Sequence, residues 1–556
     1  MDKMNNEVGT ILLDTRSIQK YVFSCNKLKT NVGASYLVDG IFNDLMQDVV
    51  LPKFNLKMPK TPWQEATGIQ MLSDSDIEAE IVYIGGGNML ILINKYPTDI
   101  QQNLKLCREI VGCWSLEILK KAPGLKTGAA IGMMDISKEE FKNSLNKMYV
   151  ELKQNQNTVL PQVDLPYTGL TLECDISGKT ADVIDKISDE KRWIAKEVLA
   201  KTEAYEYAAK KVRDEYKDVL GDEYDFVSEI DKIGYKEGES YISVIHIDGN
   251  NMGVKFSKCK DSQERKELSL RVVKIVHEAF RELIKTIVAE YDSKAYKEAL
   301  AMNNLQEKGK KLLPIRPIII GGDDITFVCP ARVGLEYAKR FIEAVNKQEF
   351  LNAKQHQRMS KDSNMKLSDT MSCCGGVAIV PAKYPFFRAY QLAEHLCGSA
   401  KSKSRQNDNS LIDFAILYGE MTPTLEQLCR QQYCAVEGYL HYGPYSVKEK
   451  VEDYSHINDL MRLKDEIKAK LASNKIKEMR DVLVKDLHTQ ARFLENCTPM
   501  QDILRAETNK KESKNEEKEI SAKDFWQKKQ DESELKTRYV DAIEIIEFTL
   551  PKTKEN

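Results

Sequence analysis

Two long segments of the chain repeat the same order of apolar and polar positions. In the first segment, the apolar strand GTILLD ends at Asp14 and leads into a long helical stretch. A second strand, IVYI, turns at Gly85–Asn88 into a third, MLILI; a helical pattern near 98–119, the strand KTGAAIGMM and a helix from about Ser137 follow. Short apolar runs next to glycines predict strands, and apolar positions three and four apart predict helices.

The second segment follows the same order. The strand YISVIHID ends at Asp248, and an amphipathic helix follows around 263–291. The strand PIIIGG then turns at Asp323–Asp324 into ITFVCP, and a helix near 331–347, the strand SCCGGVAIV and a helix around 385–404 complete the segment.

Spacing supports a duplication. Asp14 lies 71 positions before Gly85, and Asp248 lies 73 positions before Gly321. Matching element order, a strand-ending aspartate and a diglycine turn predict two copies of a βαββαβ unit, the ferredoxin-like or palm arrangement.

The remaining segments are polar and mostly helical, so the predicted fold class is α+β. We predict a first palm domain at 1–150, a helical insert at 151–240, a second palm domain at 241–418, and a helical C-terminal domain at 419–556 with a charged linker at 506–536. The last apolar run, YVDAIEIIEFTL, is strand-like and is expected to dock onto a domain.

Composition narrows the class of protein. A net charge of −3 over 556 residues gives no global basic field, so any nucleic-acid contact has to be local or shared with partner chains. The twelve cysteines form no CxxC pair, which favours reduced thiols over a disulfide framework or a zinc site. The sequence has no signal peptide and no run of about 18 apolar residues, so we expect a cytoplasmic protein without membrane contact.

The turn Gly321-Gly322-Asp323-Asp324 is the main chemical motif. Two adjacent carboxylates at a hairpin tip repel each other, and a divalent cation would neutralise them. The two glycines give the backbone freedom and remove Cβ atoms where a nucleotide has to approach closely. The alternative interpretation is an acidic turn that faces solvent.

Asp248 strengthens the functional interpretation. It ends the first strand of the same unit, and in a βαββαβ sheet that strand lies beside the hairpin. Asp248, Asp323 and Asp324 would then form an oxygen-rich cage that suits Mg²⁺ or Mn²⁺. Two such ions can activate an attacking hydroxyl and stabilise a leaving pyrophosphate, so we predict a metal-dependent nucleotidyltransferase.

Two further features are candidates for nucleotide binding. The loop that contains Gly249, Asn250 and Asn251 joins a strand to a helix, and its backbone N–H groups could cradle a triphosphate. It could equally be an ordinary strand-to-helix turn. Lys401 lies near the end of the last helix, where it could touch a triphosphate or simply favour the helix C-terminus.

The first copy lacks these acids. Gly87 and Asn88 stand where Asp323 and Asp324 stand in the second copy, and Asp14 alone could not hold two cations. We therefore predict that the first palm is catalytically silent. His246 alternates within its strand, and we expect it to be packed.

These motifs together resemble the large, palm-containing subunit of type III CRISPR effector complexes. The segments that carry the resemblance are SIQKYVFSCNKLKTNVGASYLVDGIF (17–42), VYIGGGNMLILI (82–93), VIHIDGNNMG (244–253), IIIGGDDITFV (318–328) and GGVAIVPAKYPFFRAYQLAEHLCGSAKSKSR (375–405).

The resemblance implies a function. Members of that family work with other type III subunits, a guide crRNA and target RNA, and convert ATP into the second messenger cyclic oligoadenylate. Their metal-binding acids would correspond to Asp248, Asp323 and Asp324, and the helical domain that meets the small subunits to about 420–556.

Two departures from the family pattern matter. Many members begin with a histidine-aspartate nuclease domain, whereas this sequence starts at the first palm, so we expect no DNase activity. Many also carry a zinc-binding insert, of which LECDISGKTA (172–181) retains only Cys174; we expect this degenerate zinc-finger-like segment to bind no zinc. Some nuclease-lacking members resemble enzymes that join AMP to S-adenosylmethionine, which is the alternative co-substrate.

Two other functions remain open. A scaffold that only holds RNA and partner subunits would have no use for three clustered carboxylates. A stand-alone synthase of cyclic nucleotides would be active as a single purified chain.

Overall fold

The computed structural model describes residues 6–158, 169–185, 192–230, 233, 240–300, 305–307, 309–361, 367–405, 407–419, 424–448, 454–512, 520–529 and 534–550. In the described residues, no helix is long and apolar enough to cross a membrane.

The first part of the chain contains four strands and four α-helices. In chain order these are β1 (Glu7–Arg16), α1 (Ile18–Val22), α2 (Leu28–Gly40), β2 (Ala79–Gly85), β3 (Asn88–Ile93), α3 (Ile100–Lys121), β4 (Lys126–Asp135) and α4 (Phe141–Thr158). A π-helix at Ile41–Val50 and 3₁₀ turns at Leu51–Phe54 and Gln70–Leu72 lie between α2 and β2.

Shorter elements follow: β5 (Val183–Ile184), β6 (Trp193–Ile194), α5 (Lys196–Glu215), α6 (Lys217–Leu220) and β7 (Tyr224–Phe226). The second repeat comprises β8 (Tyr241–Gly249), α7 (Met252–Ser257), α8 (Ser262–Glu290), α9 (Lys294–Ala299), β9 (Gln306–Glu307), β10 (Lys310–Leu313), β11 (Arg316–Gly321), β12 (Asp324–Pro330), α10 (Ala331–Asn346), α11 (Ala353–Lys361), β13 (Cys373–Pro381), α12 (Phe386–Ser404) and β14 (Leu411–Ile416).

The C-terminal part is mainly helical. Its elements are α13 (Leu425–Gln432), β15 (Tyr445–Ser446), α14 (Ile457–Lys470), α15 (Ser473–Leu483), α16 (Leu487–Glu495), α17 (Thr498–Glu512), β16 (Gln527–Lys528), β17 (Leu535–Lys536) and α18 (Tyr539–Glu544), with a 3₁₀ turn at Ala522–Phe525.

The two large sheets have the same strand order. The first sheet is β2-β3-β1-β4 and is antiparallel throughout, and the second begins β11-β12-β8-β13 before adding β14 and β15. Each first strand is therefore central, as in a ferredoxin-like unit. The predicted fold class, two palm-type sheets with helical parts, is confirmed.

Helices pack on both faces of the second sheet. A Cβ atom on Gly334 of α10 would lie 2.1 Å from the Ser243 hydroxyl, and one on Gly376 of β13 would lie 2.0 Å from the carbonyl oxygen of Ala393 in α12. Gly376 pairs with His246 in the β8–β13 ladder. Because residues three apart on a strand point to opposite faces, α10 covers the face of Ser243 and α12 covers the face of His246.

The first sheet has the same arrangement around its central strand. Gly9 of β1 approaches Asn103 and Cys107 of α3, whereas Gly128 and Gly132 of β4 approach side chains of α4. The duplication thus includes the helix that follows the fourth strand, and α4 corresponds to α12.

One element near the C-terminus differs from the expectation. The apolar run YVDAIEIIEFTL has the composition of a strand, but its residues 539–544 form α18. All six residues of the helix are buried, and Arg480 pairs with Glu544 at 2.7 Å. The valine and isoleucines of the run are typical of strands, and Asp541 and Glu544, although three residues apart as on one face of a helix, are buried instead of facing solvent.

Gly376→Ala should destabilise the protein, by about 1–3 kcal/mol, because the added methyl group meets the α12 backbone at 2.0 and 2.6 Å. Urea denaturation followed by circular dichroism measures the change. Gly398→Ala in α12 is the matched control: no atom lies within 4 Å of the new Cβ, so the variant should keep or gain up to about 1 kcal/mol of stability. Equal behaviour of the two variants would contradict this packing.

Candidate functional site

The end of β8 presents two chemical groups on one face. His246 and Asp248 are two residues apart on the strand, so their side chains point the same way. His246 is buried, its Nδ1 lies 3.1 Å from the Thr326 hydroxyl of β12, and its ring contacts Tyr390 of α12 edge-on. Burial lowers the pKa of His246 to about 4, and Asp248 only partly offsets this effect, so the imidazole is neutral near pH 7.

A carboxylate of the diglycine hairpin joins this pair. One ligand atom each from His246, Asp248 and Asp324 lie within 4.8 Å of one another. Asp324 is the first residue of β12, two positions before Thr326, so strand alternation places it on the same face as Thr326. Asp323 occupies the turn between β11 and β12 and is not one of the three.

The three groups fit a divalent cation. Ligands on opposite sides of Mg²⁺ are about 4 Å apart, so the observed separations require only small side-chain movements. Carboxylate oxygens suit Mg²⁺ and Mn²⁺, and a neutral imidazole nitrogen favours a transition metal.

Lys401 lies against the acidic group. Its Nζ forms an ion pair with Oδ2 of Asp248, and both side chains are about one-quarter exposed. Glu394 lies two helical turns before Lys401 on α12. Its pKa is raised mainly by burial, and the negative charge of Asp248 raises it further. The close approach of α12 over Gly376 brings both side chains to this end of the sheet.

The loop after β8 holds its two asparagines differently. The buried Asn250 side chain donates to the Ser404 hydroxyl at 3.0 Å and to the Asn409 carbonyl at 2.9 Å, and its backbone N–H donates to the carbonyl of Ser372. Asn251 has a left-handed backbone, with φ 54°, and precedes the short helix α7. Asn250 therefore fastens the loop to the segment after α12.

In the first palm, an uncharged side chain, Gln156, occupies the position of Lys401. Oδ2 of Asp14 accepts a hydrogen bond of 2.6 Å from Gln156 of α4, and Asp14 pairs with Asn88 in the β1–β3 ladder. Gln156 stands fifteen residues after the first residue of α4, and Lys401 stands fifteen after the first residue of α12. Burial raises the pKa of Asp14, while Gln156 acts in the opposite direction.

The predicted site residues thus fall into distinct places. Asp248 and Asp324 belong to the group of three, and Lys401 pairs with Asp248. Asp323 and Gly322 form the adjacent turn, and Gly249 and Gly321 are the last residues of β8 and β11. Gly322 has a φ of 58°, a conformation that glycine adopts without strain.

His246, a member of the group, and Glu394 on α12 were not among the predicted site residues. His246 was expected to be packed, which it is, but it also belongs to the group of three. Both residues leave a signal in the sequence: His246 lies two residues before Asp248 on a strand, and Glu394 lies seven before Lys401 on a helix.

Comparison with known proteins identifies one family that matches the second palm. Residues 241–411 match the family model described as Cas10/Cmr2, second palm domain. The resemblance to the large palm-containing subunit of type III CRISPR complexes is therefore confirmed over this segment, which contains Asp248, Asp323, Asp324 and Lys401. No curated protein matches the sequence.

Solved structures show weaker likenesses. A Csm1–Csm4 cassette in complex with pppApApA is 11% identical, with a TM-score of 0.49, and the match covers 98% of this chain and 69% of that chain. Csm1 from T. onnurineus is 12% identical, with a TM-score of 0.48 and coverages of 98% and 70%. This chain thus spans about two thirds of their length, and similarity at this level does not carry a function.

Substitution of the two asparagines should affect the stability of the protein differently. Asn250→Ala removes two buried hydrogen bonds, to the Ser404 hydroxyl and to the Asn409 carbonyl, which should cost about 1–3 kcal/mol although Ser404 still donates to that carbonyl. Asn251→Gly keeps the left-handed backbone at lower strain and should leave stability nearly unchanged. Urea denaturation of both variants measures the difference; an undiminished midpoint for Asn250→Ala would contradict the role of its side chain.

Proposed function

We propose that this chain is the nucleotidyl-transfer subunit of a type III CRISPR antiviral complex and makes a nucleotide second messenger from ATP when target RNA is bound. The observation that carries the proposal is the group of His246, Asp248 and Asp324, within 4.8 Å of one another, in a segment that matches a Cas10/Cmr2 palm. A packed structural turn has no need of two carboxylates and an imidazole at one point, because like charges there reduce stability.

Each residue has a specific role in this proposal. Asp248 and Asp324 would hold Mg²⁺ or Mn²⁺ with His246 beside them, and Asp323 would serve a second ion from the turn. Bound there, the ions would activate the attacking hydroxyl and neutralise the leaving pyrophosphate. Gly321 and Gly322 would let the nucleotide approach the hairpin, and Lys401 would contact the triphosphate.

Substrate binding would also involve the loop of Gly249, Asn250 and Asn251. The Asn250 side chain and N–H are engaged within the protein, so its contribution is to hold the loop in place. Asn251 and the residues of α7 are then the part of the loop that faces the phosphates. The first palm is silent, since Asp14 pairs with a neutral amide and Asn88 replaces the second acid.

The proposed partners are the other type III subunits, a guide crRNA and the target RNA. The solved chains that resemble this one include Csm1 in a cassette with Csm4, and an equivalent partner is part of the proposal. A net charge of −3 fits a subunit that shares its RNA contacts with partner chains.

Asp248→Asn or Asp324→Asn should reduce pyrophosphate release by at least about 100-fold, because a metal-held charge contributes several kcal/mol to the transition state. The assay uses the assembled complex with guide RNA, target RNA, ATP and Mn²⁺. Asp14→Asn in the first palm is the matched control and should retain full activity. Full activity of the Asp248→Asn complex would rule out the proposed chemistry. If the complex with the unmodified chain showed no ATP turnover, a scaffold role would be favoured instead.

The product is tested separately, because cyclic oligoadenylate and an AMP conjugate of S-adenosylmethionine both arise by attack on the α-phosphate of ATP. Mass spectrometry of the activated complex, supplied with ATP and with or without S-adenosylmethionine, distinguishes them. A conjugate that forms only with S-adenosylmethionine identifies the second chemistry. Product formation by the purified single chain without RNA would instead identify a stand-alone synthase.

A further inference from the structure

The strand β4 forms one edge of the first sheet, and among the described strands only β1 pairs with it. The two strands pair over the ten residues Lys126–Asp135 without a register shift. The Thr15 N–H donates to the carbonyl of Gly87, so the odd-numbered residues of β1 bond to β3 and the even-numbered ones bond to β4. The odd-numbered residues of β4 therefore direct their backbone N–H and C=O groups away from β1.

Most of these outward backbone groups have no hydrogen-bond partner within the described residues. The Ala129 carbonyl accepts a hydrogen bond of 3.1 Å from Asn155 of α4, and the Asp135 N–H donates to a serine hydroxyl of α4 at 3.3 Å. Between them, the N–H and C=O groups of Ile131 and Met133 are unpaired in this part of the chain. Both residues are only half-buried, so the middle of the edge is accessible.

Other sheet edges carry features that discourage the addition of a strand. β2, the opposite edge of the same sheet, has a register shift between Ile81 and Tyr83. β11, an edge of the second sheet, has Pro317 as its second residue, and proline has no N–H to donate. β4 has no proline and no charged residue between its two ends. Proteins protect or cover a long, regular edge, and β4 lacks the protection.

The second palm shows what covers this edge in the duplicated unit. When the strand-ending aspartates of β1 and β8 are aligned, Gly128 of β4 is equivalent to Cys374 of β13. In the second sheet, the parallel strand β14 pairs with residues 375–379 of β13. The equivalent residues of β4 are 129–133, the stretch that contains the unpaired backbone groups. A parallel strand is therefore the neighbour that this edge is built to accept.

The side chains around the edge define the strand that fits it. On one face, Ile131 and Met133 are apolar and half-buried. On the other face, Glu151 of α4 lies over β4: a Cβ atom on Gly132 would be 3.3 Å from its Oε2. Glu151 forms no ion pair within the described residues. A complementary strand has apolar side chains toward Ile131 and Met133 and a basic side chain toward Glu151.

We propose that residues 129–133 of β4 bind a parallel β-strand from a partner protein chain, apolar on one face and basic on the other. Hydrogen bonds to the backbone of Ile131 and Met133 supply affinity, and the side chains supply specificity. A second copy of this chain, related by a two-fold axis, would place β4 antiparallel to itself, whereas β14 runs parallel to β13. The partner is therefore a different chain. The proposal rests on the proposed function only in taking that chain from the type III complex.

Hydrogen–deuterium exchange at single-residue resolution tests the strand directly, by comparing the full chain alone with the complex assembled with guide RNA and the other subunits. The amides of Ile131 and Met133 should exchange at least about 100-fold more slowly in the complex, because they become hydrogen-bonded. The amides of Ala130 and Gly132 already bond to β1 and serve as the internal control, with a much smaller change. Unchanged exchange at Ile131 and Met133 would overturn the proposal. The Asp248→Asn complex should show the same protection, so a failure of the proposed catalysis is distinguishable.

Replacing Met133 with the photo-crosslinker p-benzoylphenylalanine identifies the neighbouring chain by mass spectrometry of the irradiated complex. We expect a crosslink to a segment of another subunit. A crosslink to a second copy of this chain, or to another segment of the same chain, would contradict the proposed partner.

Two substitutions then test the backbone and the charge, with the affinity for the crosslinked subunit as the readout. Ile131→Pro removes one outward N–H but keeps the ladder to β1, so it should weaken binding by about tenfold or more, and Ile131→Val is its matched control. Glu151→Lys should weaken binding to a similar extent, and Glu139→Lys, at an exposed position before α4, should not. Circular dichroism first establishes that each variant is folded. Unchanged affinity of both folded test variants would also overturn the proposal.

Discussion

The candidate site depends on one electrostatic constraint: the sheet holds Asp248 and Asp324 on the same face, where their charges repel. Two like charges about 4 Å apart cost roughly 1 kcal/mol in water and about 4 kcal/mol at the effective dielectric constant of a protein surface. The fold must therefore bring positive charge to this point. Lys401 does so, and it reaches Asp248 because Gly376 lets the α12 backbone lie almost against β13.

The duplicated unit shows how this requirement changes with the number of acids. Both copies place a helix over the face of the strand-ending aspartate, and both place a polar side chain fifteen residues after the helix begins. Where the hairpin supplies Asn88 instead of an acid, the helix supplies the uncharged Gln156 to Asp14, and positive charge comes from Arg16 on the same strand as Asp14. Where the hairpin supplies Asp324, the side chain is a lysine. The charge on the helix thus follows the charge on the sheet.

Much of the duplicated fold could be predicted from the sequence, because strands, turns and helices depend on short-range patterns. The position of Asp248 beside the hairpin follows from strand order alone. The partner of Lys401 could not be predicted, since that contact joins residues 153 positions apart and depends on the distance between a helix and a sheet. For the same reason, the sequence did not reveal that Asp324, rather than Asp323, groups with His246. α18 was mistaken for a strand because its valine and isoleucines are typical of strands, which outweighed the three-residue spacing of Asp541 and Glu544.

The ion pair between Lys401 and Asp248 has a consequence for the proposed chemistry. A divalent cation at Asp248 would repel the ammonium group of Lys401, so ion binding would weaken this ion pair, although the carboxylate has lone pairs for both. Displaced by a cation, the lysine would add its charge to that of the ion at the place where a polyanionic triphosphate has to bind. Ion binding and ATP binding would then reinforce each other. In the first palm the displaced group would be an uncharged amide and the exchange would free no such positive charge, which is a second physical reason, beside the missing acid, for the proposed silence of that copy.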